Sequence, residues 1–285
     1  MISHFFFLVN NLTTSSPFSS AMSFLCQSEP TQVSVLSDTL DFFMTTINLG
    51  VVLIRQKRFN EALGCFREAI QCINCKILGP SSVKAKNTPS TLQAFYLLLD
   101  GGNCPIYTAS FLPTLNEEGG LFVFGNPIVL THPEGRDFKN DPIRTEEYGR
   151  LSLVILYNMA LTYHLFALEV QNINRHDGGQ SHCAPDPQVT ELLNQALIHY
   201  EMAYRILVSE KDVLASQAMV ILNNVGHVHH LSGNKSRSRK CFEYLLSTMI
   251  YLRETGNVEQ IHHWDSFFSN VMDLVLSQPG PAPAA

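Results

Sequence analysis

Residues Ile221 to Leu246 read ILNNVGHVHHLSGNKSRSRKCFEYLL, and this stretch decides the fold of the chain. Apolar residues recur at helical spacing on both sides of Ser232-Gly233-Asn234, a sequence typical of a turn. The residues that form these two apolar faces are Leu222, Val225 and Val228 before the turn, and Phe242, Leu245 and Leu246 after it. Because each face is too wide to leave in water, the two helices are predicted to pack on each other and on neighbours.

The start of this helix pair recurs in the chain as an asparagine followed two residues later by glycine or alanine. The three tripeptides are Asn48-Leu49-Gly50, Asn158-Met159-Ala160 and Asn224-Val225-Gly226, and the aromatic residues that follow them are Phe66, Tyr200 and Phe242. The asparagine-to-aromatic spacing is 18 residues in the first and third units. It is 42 in the second, where the excess falls in a Gly/Pro-rich stretch around 171–186. The pattern predicts an internal repeat of three helix pairs.

The second helix of each pair adds a further signal, because alanines bracket its aromatic residue in the first two units. These alanines are Ala62 and Ala69 in unit one, and Ala196 and Ala203 in unit two. Together with the small residue in the first helix, this pattern resembles the tetratricopeptide repeat (TPR) family, over residues 36–78 and 147–254. The runs ILYNMALTYHL and ILNNVGHVHHLSGN are also similar to uncharacterised TPR-like proteins of diatoms. A generic helical bundle with Ala and Gly at its contacts is the alternative.

The predicted fold is therefore mainly α: a TPR-like α-solenoid of about three helix pairs plus a capping helix, with a small β-hairpin insertion. Helices are predicted at 37–58, 59–78, 146–170, 187–208, 212–231, 235–254 and 258–277. The last of these should place Ile261, Trp264, Phe268, Val271 and Val275 on one face. Aromatic and β-branched residues at 106–112 and 121–131 predict the hairpin, inside an insertion that spans 80–146.

The ends of the chain differ in composition from the predicted helical domain at 35–277. Residues 1–34 are polar and are predicted to be disordered, as is the Pro/Ala tail at 278–285. A cytoplasmic protein is expected, although the Ser/Thr-rich stretch from Thr13 to Ser23 leaves a plastid-type leader open.

Composition narrows the possible partners. The net charge is -6 and only 15% of residues are charged, so no broad basic surface is available and nucleic acid is not expected as a partner. No uninterrupted apolar run reaches about 18 residues, so no membrane association is expected. The seven scattered cysteines favour reduced, buried thiols, and the pair Cys72/Cys75 is interpreted as core packing rather than a metal or redox site.

The resemblance to TPR proteins implies a non-enzymatic protein–protein interaction scaffold, with no cofactor, that binds a protein or peptide. In that family ligands lie in a concave groove formed by the first helices of the pairs. The residues that the resemblance places in this groove are Met44, Ile47, Val51, Tyr157, Leu161, His164, Asn223, His227 and His230. We expect an apolar or aromatic peptide segment there, anchored by Tyr157.

The alternative function uses histidine chemistry. His227 and His230 lie one turn apart on a predicted helix, and the repeat register places His164 on the neighbouring helix. Imidazoles are common zinc ligands, so a metal-dependent enzyme or metal-binding protein using the His164/His227/His230 cluster stays open. No Asp, Glu or Cys completes the cluster by its spacing, and no catalytic motif occurs in the chain.

Overall fold

The computed structural model describes residues 40–78, 123–130, 145–176, 186–209, 215–255 and 264–272. Seven helices occur in these ranges. They are α1 (Leu40–Arg55), α2 (Phe59–Leu78), α3 (Thr145–His176), α4 (Pro187–Ser209), α5 (Ala215–Leu231), α6 (Lys235–Glu254) and α7 (Trp264–Val271). The mainly helical fold is confirmed, and each predicted helix of the repeat is found.

The helices form pairs in chain order. Helix α1 packs on α2, α3 on α4, and α5 on α6, and successive pairs meet through contacts of α2 with α3 and of α4 with α5. One continuous hydrophobic core runs through all three pairs. Because α1 also contacts α3, the first helices of the first two pairs lie side by side.

The turns inside the first and third pairs share one backbone feature. Gly233 has a φ of 72°, and Lys57, which lies at the equivalent distance from the repeated asparagine, has a φ of 58°. In both turns backbone bonds close the end of the first helix: Arg58 N–H donates to the Leu53 carbonyl, and Asn234 N–H donates to the His229 carbonyl. The predicted break at residues 232–234 is confirmed.

The small residue of the repeated tripeptide lets the two helices of a pair approach closely. A Cβ added to Gly50 would lie 2.6 Å from the Phe66 ring, and one added to Gly226 would lie 2.7 Å from the Phe242 ring. The second helix of unit three carries Ser238 where the earlier units have alanine. This serine is buried, and its hydroxyl donates to the Gly226 carbonyl at 2.8 Å.

Gly226→Ala should therefore destabilise the protein, although alanine is the better helix former. The added methyl group meets a fully buried ring, and such overpacking typically costs about 1–3 kcal/mol. Urea unfolding measures the difference. Gly64→Ala is the matched control: Gly64 is also helical, nothing lies within 4 Å of an added Cβ, and we expect about 0.5–1 kcal/mol of stabilisation. Equal effects at the two glycines would contradict the close contact.

Helix α3 is longer than predicted and forms the centre of the core. Its span Tyr148–Asn174 is long and apolar enough to cross a membrane by length and composition alone. However, 83% of its most apolar window is buried inside the structure, as in the core helix of a soluble protein. The sequence prediction recognised only uninterrupted apolar runs and so missed this property.

The terminal helix α7 contacts α6, but one of its predicted inward residues is wrong. Phe267, Asn270 and Val271 are buried, whereas Phe268 is 43% exposed. The buried face is centred one residue earlier than predicted because Phe267 packs on Phe124, a residue far away in the sequence. The predicted inward residues Ile261 and Val275 lie outside the described residues.

Most of the predicted hairpin lies outside the described residues, including its first strand. Residues 123–130, from the second predicted strand, are non-helical and make one isolated β-bridge at Val129. No longer strand occurs in the described ranges, so the hairpin is not confirmed. These eight residues pack on helices instead, and they form the site described next.

Candidate functional site

Residues 123–130 lie across the first helices of all three pairs. We call this the inner segment. Its even-numbered residues, which are Phe124, Asn126, Ile128 and Leu130, are buried, whereas Val123, Gly125 and Val129 are only partly buried. Pro127 is also buried, so burial alternates at every position of the segment except this proline. A period of two is that of an extended chain whose alternate side chains point to opposite sides. The inner segment is therefore an extended peptide packed on helices.

The repeated asparagines bind the backbone of the inner segment, and each binds one residue twice. The pairs are Asn48 with Leu130, Asn158 with Ile128, and Asn224 with Phe124. In each pair the side-chain oxygen accepts the backbone N–H at 2.8–3.0 Å. The side-chain NH2 donates to the carbonyl of the same residue, also at 2.8–3.0 Å. We call the surface formed by Asn48, Asn158 and Asn224 the asparagine face.

These contacts replace the hydrogen bonds that a neighbouring strand would supply. Burial of a backbone N–H or carbonyl without a partner costs about 1–3 kcal/mol, so the asparagines allow the inner segment to be buried. Tyr157 supplies the remaining even-numbered position, because its hydroxyl donates to the Asn126 carbonyl at 3.2 Å. The helices therefore bind both backbone groups at Phe124, Ile128 and Leu130, and the carbonyl at Asn126.

The sequence contained a signal for this face that was interpreted only as repeat register. Asn158 and Asn224 are fully buried in otherwise apolar helices. A buried asparagine needs partners for an oxygen and for two N–H groups, so its recurrence in three units indicates a common polar partner. The partner itself, a segment of the insertion, could not be identified from helical periodicity.

A buried hydrogen-bonded chain leads from the asparagine face to the histidines. The NH2 group of Asn224 donates to the Tyr200 hydroxyl at 3.0 Å, which lies 3.5 Å from Nδ1 of His164. Nε2 of His164 lies 2.9 Å from Nδ1 of His227. If Tyr200 donates to His164, then His164 carries its proton on Nε2 and donates to His227. Each of the three contacts then joins one donor to one acceptor, with both imidazoles neutral.

Burial lowers the pKa values of these two histidines, which favours the neutral rings that the hydrogen-bonded series requires. Burial lowers the pKa of His227 to about 4, with a further decrease from nearby His230. The pKa of His164 lies well below its usual value, again because of burial first and of His227 second. Both rings are therefore neutral at pH 7.

The predicted groove residues are now placed. Eight of the nine are buried: Met44, Ile47, Val51, Tyr157, Leu161, His164, Asn223 and His227. His230 is exposed and lies outside the His164–His227 contact. Tyr157 bonds the inner segment, and Asn223 accepts a bond from Asn270 of α7 at 2.7 Å. The asparagines Asn48, Asn158 and Asn224 were missing from the predicted set.

The three-histidine metal site is not supported. Within the described ranges, no group of three His, Cys, Asp or Glu side chains is placed to hold a metal ion. Nε2 of His164 and Nδ1 of His227 contact each other, so neither of these two nitrogens is directed at a shared metal ion. Cys72 is a buried free thiol in the core, and the side chain of Cys75 lies outside the described set.

Tyr157→Phe should separate hydrogen bonding from packing at the inner segment. The change retains the buried ring and removes only the hydroxyl that donates to the Asn126 carbonyl. We expect a loss of about 0.5–1.5 kcal/mol in the free energy of unfolding, the usual net value of one hydrogen bond. Denaturant unfolding with an unchanged midpoint would show that the 3.2 Å contact contributes nothing.

Comparison with known proteins supports the class of fold. Residues 44–83 match the family model of the tetratricopeptide repeat, a range that includes most of α1 and all of α2. No curated protein matches the chain, and no solved structure matches it. The family match and the helix pairs together support a TPR-like protein. The match falls on unit one, and the similarity to diatom proteins stays a prediction.

Proposed function

We propose that this chain is a non-enzymatic interaction scaffold, a TPR-like α-solenoid whose groove holds an extended peptide of a protein partner on the asparagine face. The family match supports a role in protein–protein interaction, because TPR repeats generally mediate such contacts. The observation that carries the peptide proposal is the binding of alternate backbone groups by Asn48, Asn158 and Asn224.

Backbone recognition explains why a peptide is the favoured ligand. Each asparagine binds an N–H and a carbonyl of one residue, and a chain of residues in extended form presents such pairs at every second position. Backbone bonds supply affinity in this mode of recognition, and side-chain pockets supply specificity. In the structure, a segment of the same chain, the inner segment, occupies the asparagine face.

An external peptide must take the place of the inner segment. The inner segment is covalently linked, so its effective concentration at the face is of the order of millimolar. A partner then needs either higher intrinsic affinity or a second contact elsewhere on the chain. The inner segment thus acts as a tethered competitor of the partner.

A direct test uses a labelled peptide with the sequence of residues 123–130, VFGNPIVL. Fluorescence anisotropy measures its binding to a full-length variant in which those residues are replaced by a Gly/Ser linker of equal length. We expect the replaced variant to bind at least about tenfold more tightly than the wild-type chain, because the tethered competitor is gone. Asn158→Leu in the replaced variant should abolish binding. If the replaced variant is folded and binds no peptide, the proposed function is wrong.

A further inference from the structure

We infer that the asparagine face selects a peptide of one chain direction with an aromatic residue near its N-terminal end. Aliphatic residues follow that aromatic residue at four and six positions. This inference rests on the proposed function and names the chemistry of its ligand. It derives from three features. These are the stacked rings of Phe124 and Phe267, the Asn224 amide that is held in one orientation, and the position of Asn126 in the inner segment.

The ring pair involves the terminal helix. Phe267 of α7 stacks on Phe124, with ring centroids 5.7 Å apart and an angle of 17° between the planes. Both rings are at most 2% exposed. Stacked aromatic pairs contribute about 0.5–1.5 kcal/mol beyond the burial of their area, so this site favours an aromatic side chain over an aliphatic one. Helix α7 therefore supplies the aromatic-binding wall of the groove.

Polar contacts hold α7 in register with the asparagine face. The NH2 group of Asn270 donates to the side-chain oxygen of Asn223 at 2.7 Å, and the NH2 group of Asn223 donates to that of Asn224 at 3.2 Å. Phe267 and Asn270 lie one turn apart on α7, so these bonds also position the Phe267 ring. Hydrogen bonds therefore connect the helix that carries Phe267 to Asn224, which binds the peptide backbone.

The side-chain amide of Asn224 is held in one orientation, and this orientation distinguishes the two possible directions of a bound peptide. Its oxygen accepts from both Phe124 N–H and Asn223, and its NH2 donates to both the Phe124 carbonyl and Tyr200. A peptide bound in the opposite direction would exchange the positions of its N–H and carbonyl groups. The Asn224 amide would then have to flip, which would turn its NH2 toward the NH2 of Asn223. One direction is therefore preferred, with the N-terminal end at unit three.

The remaining buried positions define the aliphatic sites. Ile128 and Leu130 are at most 4% exposed and Pro127 is buried beside them, whereas Val123, Gly125 and Val129 are partly open. Residues at the open positions have little effect on packing, so a ligand is constrained at its aromatic and aliphatic residues. The spacing of these residues is that of Phe124, Ile128 and Leu130 in the inner segment.

The inner segment, which now occupies the asparagine face, has one unfavourable side chain, that of Asn126. This residue is 4% exposed, and its side-chain NH2 has no hydrogen-bond partner among the residues that the structure describes. A buried donor without a partner is unfavourable, so an apolar residue of similar size at that position should bind more tightly. The inner segment is therefore a weaker ligand than the site allows, as a displaceable occupant must be.

The test uses the replaced variant and a set of competitor peptides. Against VFGNPIVL we compare the Phe124→Ala peptide, the Asn126→Leu peptide and the reversed sequence LVIPNGFV. We expect the first to bind about tenfold more weakly and the second about tenfold more tightly. The reversed sequence should bind weakly or not at all.

On the protein, Phe267→Ala should weaken binding of VFGNPIVL about tenfold but leave binding of the Phe124→Ala peptide nearly unchanged. Phe268→Ala, one residue away and exposed, is the matched control.

Failure of the inference differs from failure of the proposed function. If VFGNPIVL binds and the Phe124→Ala and reversed peptides bind equally well, the inference is wrong and the proposed function stands. If the folded replaced variant binds none of the peptides, the proposed function is wrong and the inference fails with it. Should the replaced variant unfold on its own, cooperative melting must return on addition of VFGNPIVL. No return of melting counts against both.

Discussion

Acidification from pH 7 to pH 5 should remove about 6 kcal/mol from the free energy of unfolding. Three buried histidines, His199, His227 and His229, have folded-state pKa values of about 4, in each case mainly because of burial. In the unfolded chain their pKa values are near 6.5, and each difference contributes about 2 kcal/mol at pH 5. Since typical domains have about 5–15 kcal/mol of stability in total, the protein should lose a large part of its stability near pH 5.

The sign follows from which state binds the protons. Between pH 6.5 and pH 4 the unfolded chain is protonated at these histidines and the folded chain is not. Stability is therefore complete above about pH 7 and falls as the pH decreases through 6.5 toward 4. His164, whose pKa is also lowered by burial, acts in the same direction. Glu201 acts oppositely, because burial raises the pKa of its carboxyl and acidification favours its folded form.

Urea unfolding at pH 7, 6 and 5 measures this dependence. His199→Gln is the informative variant, because glutamine is polar, of similar length and does not titrate. We expect its loss of stability between pH 7 and pH 5 to be smaller than that of the wild type by about 2 kcal/mol. Equal losses in the two proteins, or a wild-type stability that is constant over this range, would contradict the buried neutral histidines.

Asn158→Leu should release the inner segment from the helices. Asn158 is fully buried, and its amide is bonded to both the N–H and the carbonyl of Ile128. Leucine is similar in size but offers no polar atom, so these two backbone groups would stay buried without this partner or return to water. Each unpaired group costs about 1–3 kcal/mol, which gives about 2–6 kcal/mol for the inner segment in place.

Two measurements separate release of the inner segment from general unfolding. Limited proteolysis should cut the variant within residues 123–130, while far-UV circular dichroism shows that the helices remain. Asn174→Leu is the control on the same helix: its amide bonds Asp186 at the exposed end of α3, and we expect an effect below about 1 kcal/mol. If Asn158→Leu resists proteolysis as well as the control does, the amide pair does not hold the inner segment.

The helix pairs could be predicted from the sequence because their signals are local. Hydrophobic periodicity gave the helices, Ser232-Gly233-Asn234 gave the turn, and the glycine and aromatic residues gave the repeat register. The contacts of Gly50 with Phe66 and of Gly226 with Phe242 show why those residue types recur at that spacing. A short distance in sequence corresponds here to a short distance in space.

The inner segment and the terminal helix could not be predicted in the same way. Asn48 and Leu130 are 82 residues apart, and Asn224 and Phe124 are 100 apart, so no periodicity links them. The choice of Phe267 over Phe268 as the buried ring depends on Phe124, which packs on α7 from the insertion. Such contacts are set by tertiary packing, and a single sequence carries only the weaker hint of three asparagines at the same position of the repeat.

Residue-resolved amide hydrogen exchange of the wild-type protein tests the central claim most directly. The amides of Phe124, Ile128 and Leu130 donate to the three asparagines. Successive amides of an extended chain point to opposite sides, so that of Gly125 is expected to point away from the asparagine face. We predict slow exchange at Phe124, Ile128 and Leu130, and much faster exchange at Gly125. Uniformly fast exchange across residues 123–130, with the helices protected, would contradict an inner segment bound to the asparagine face.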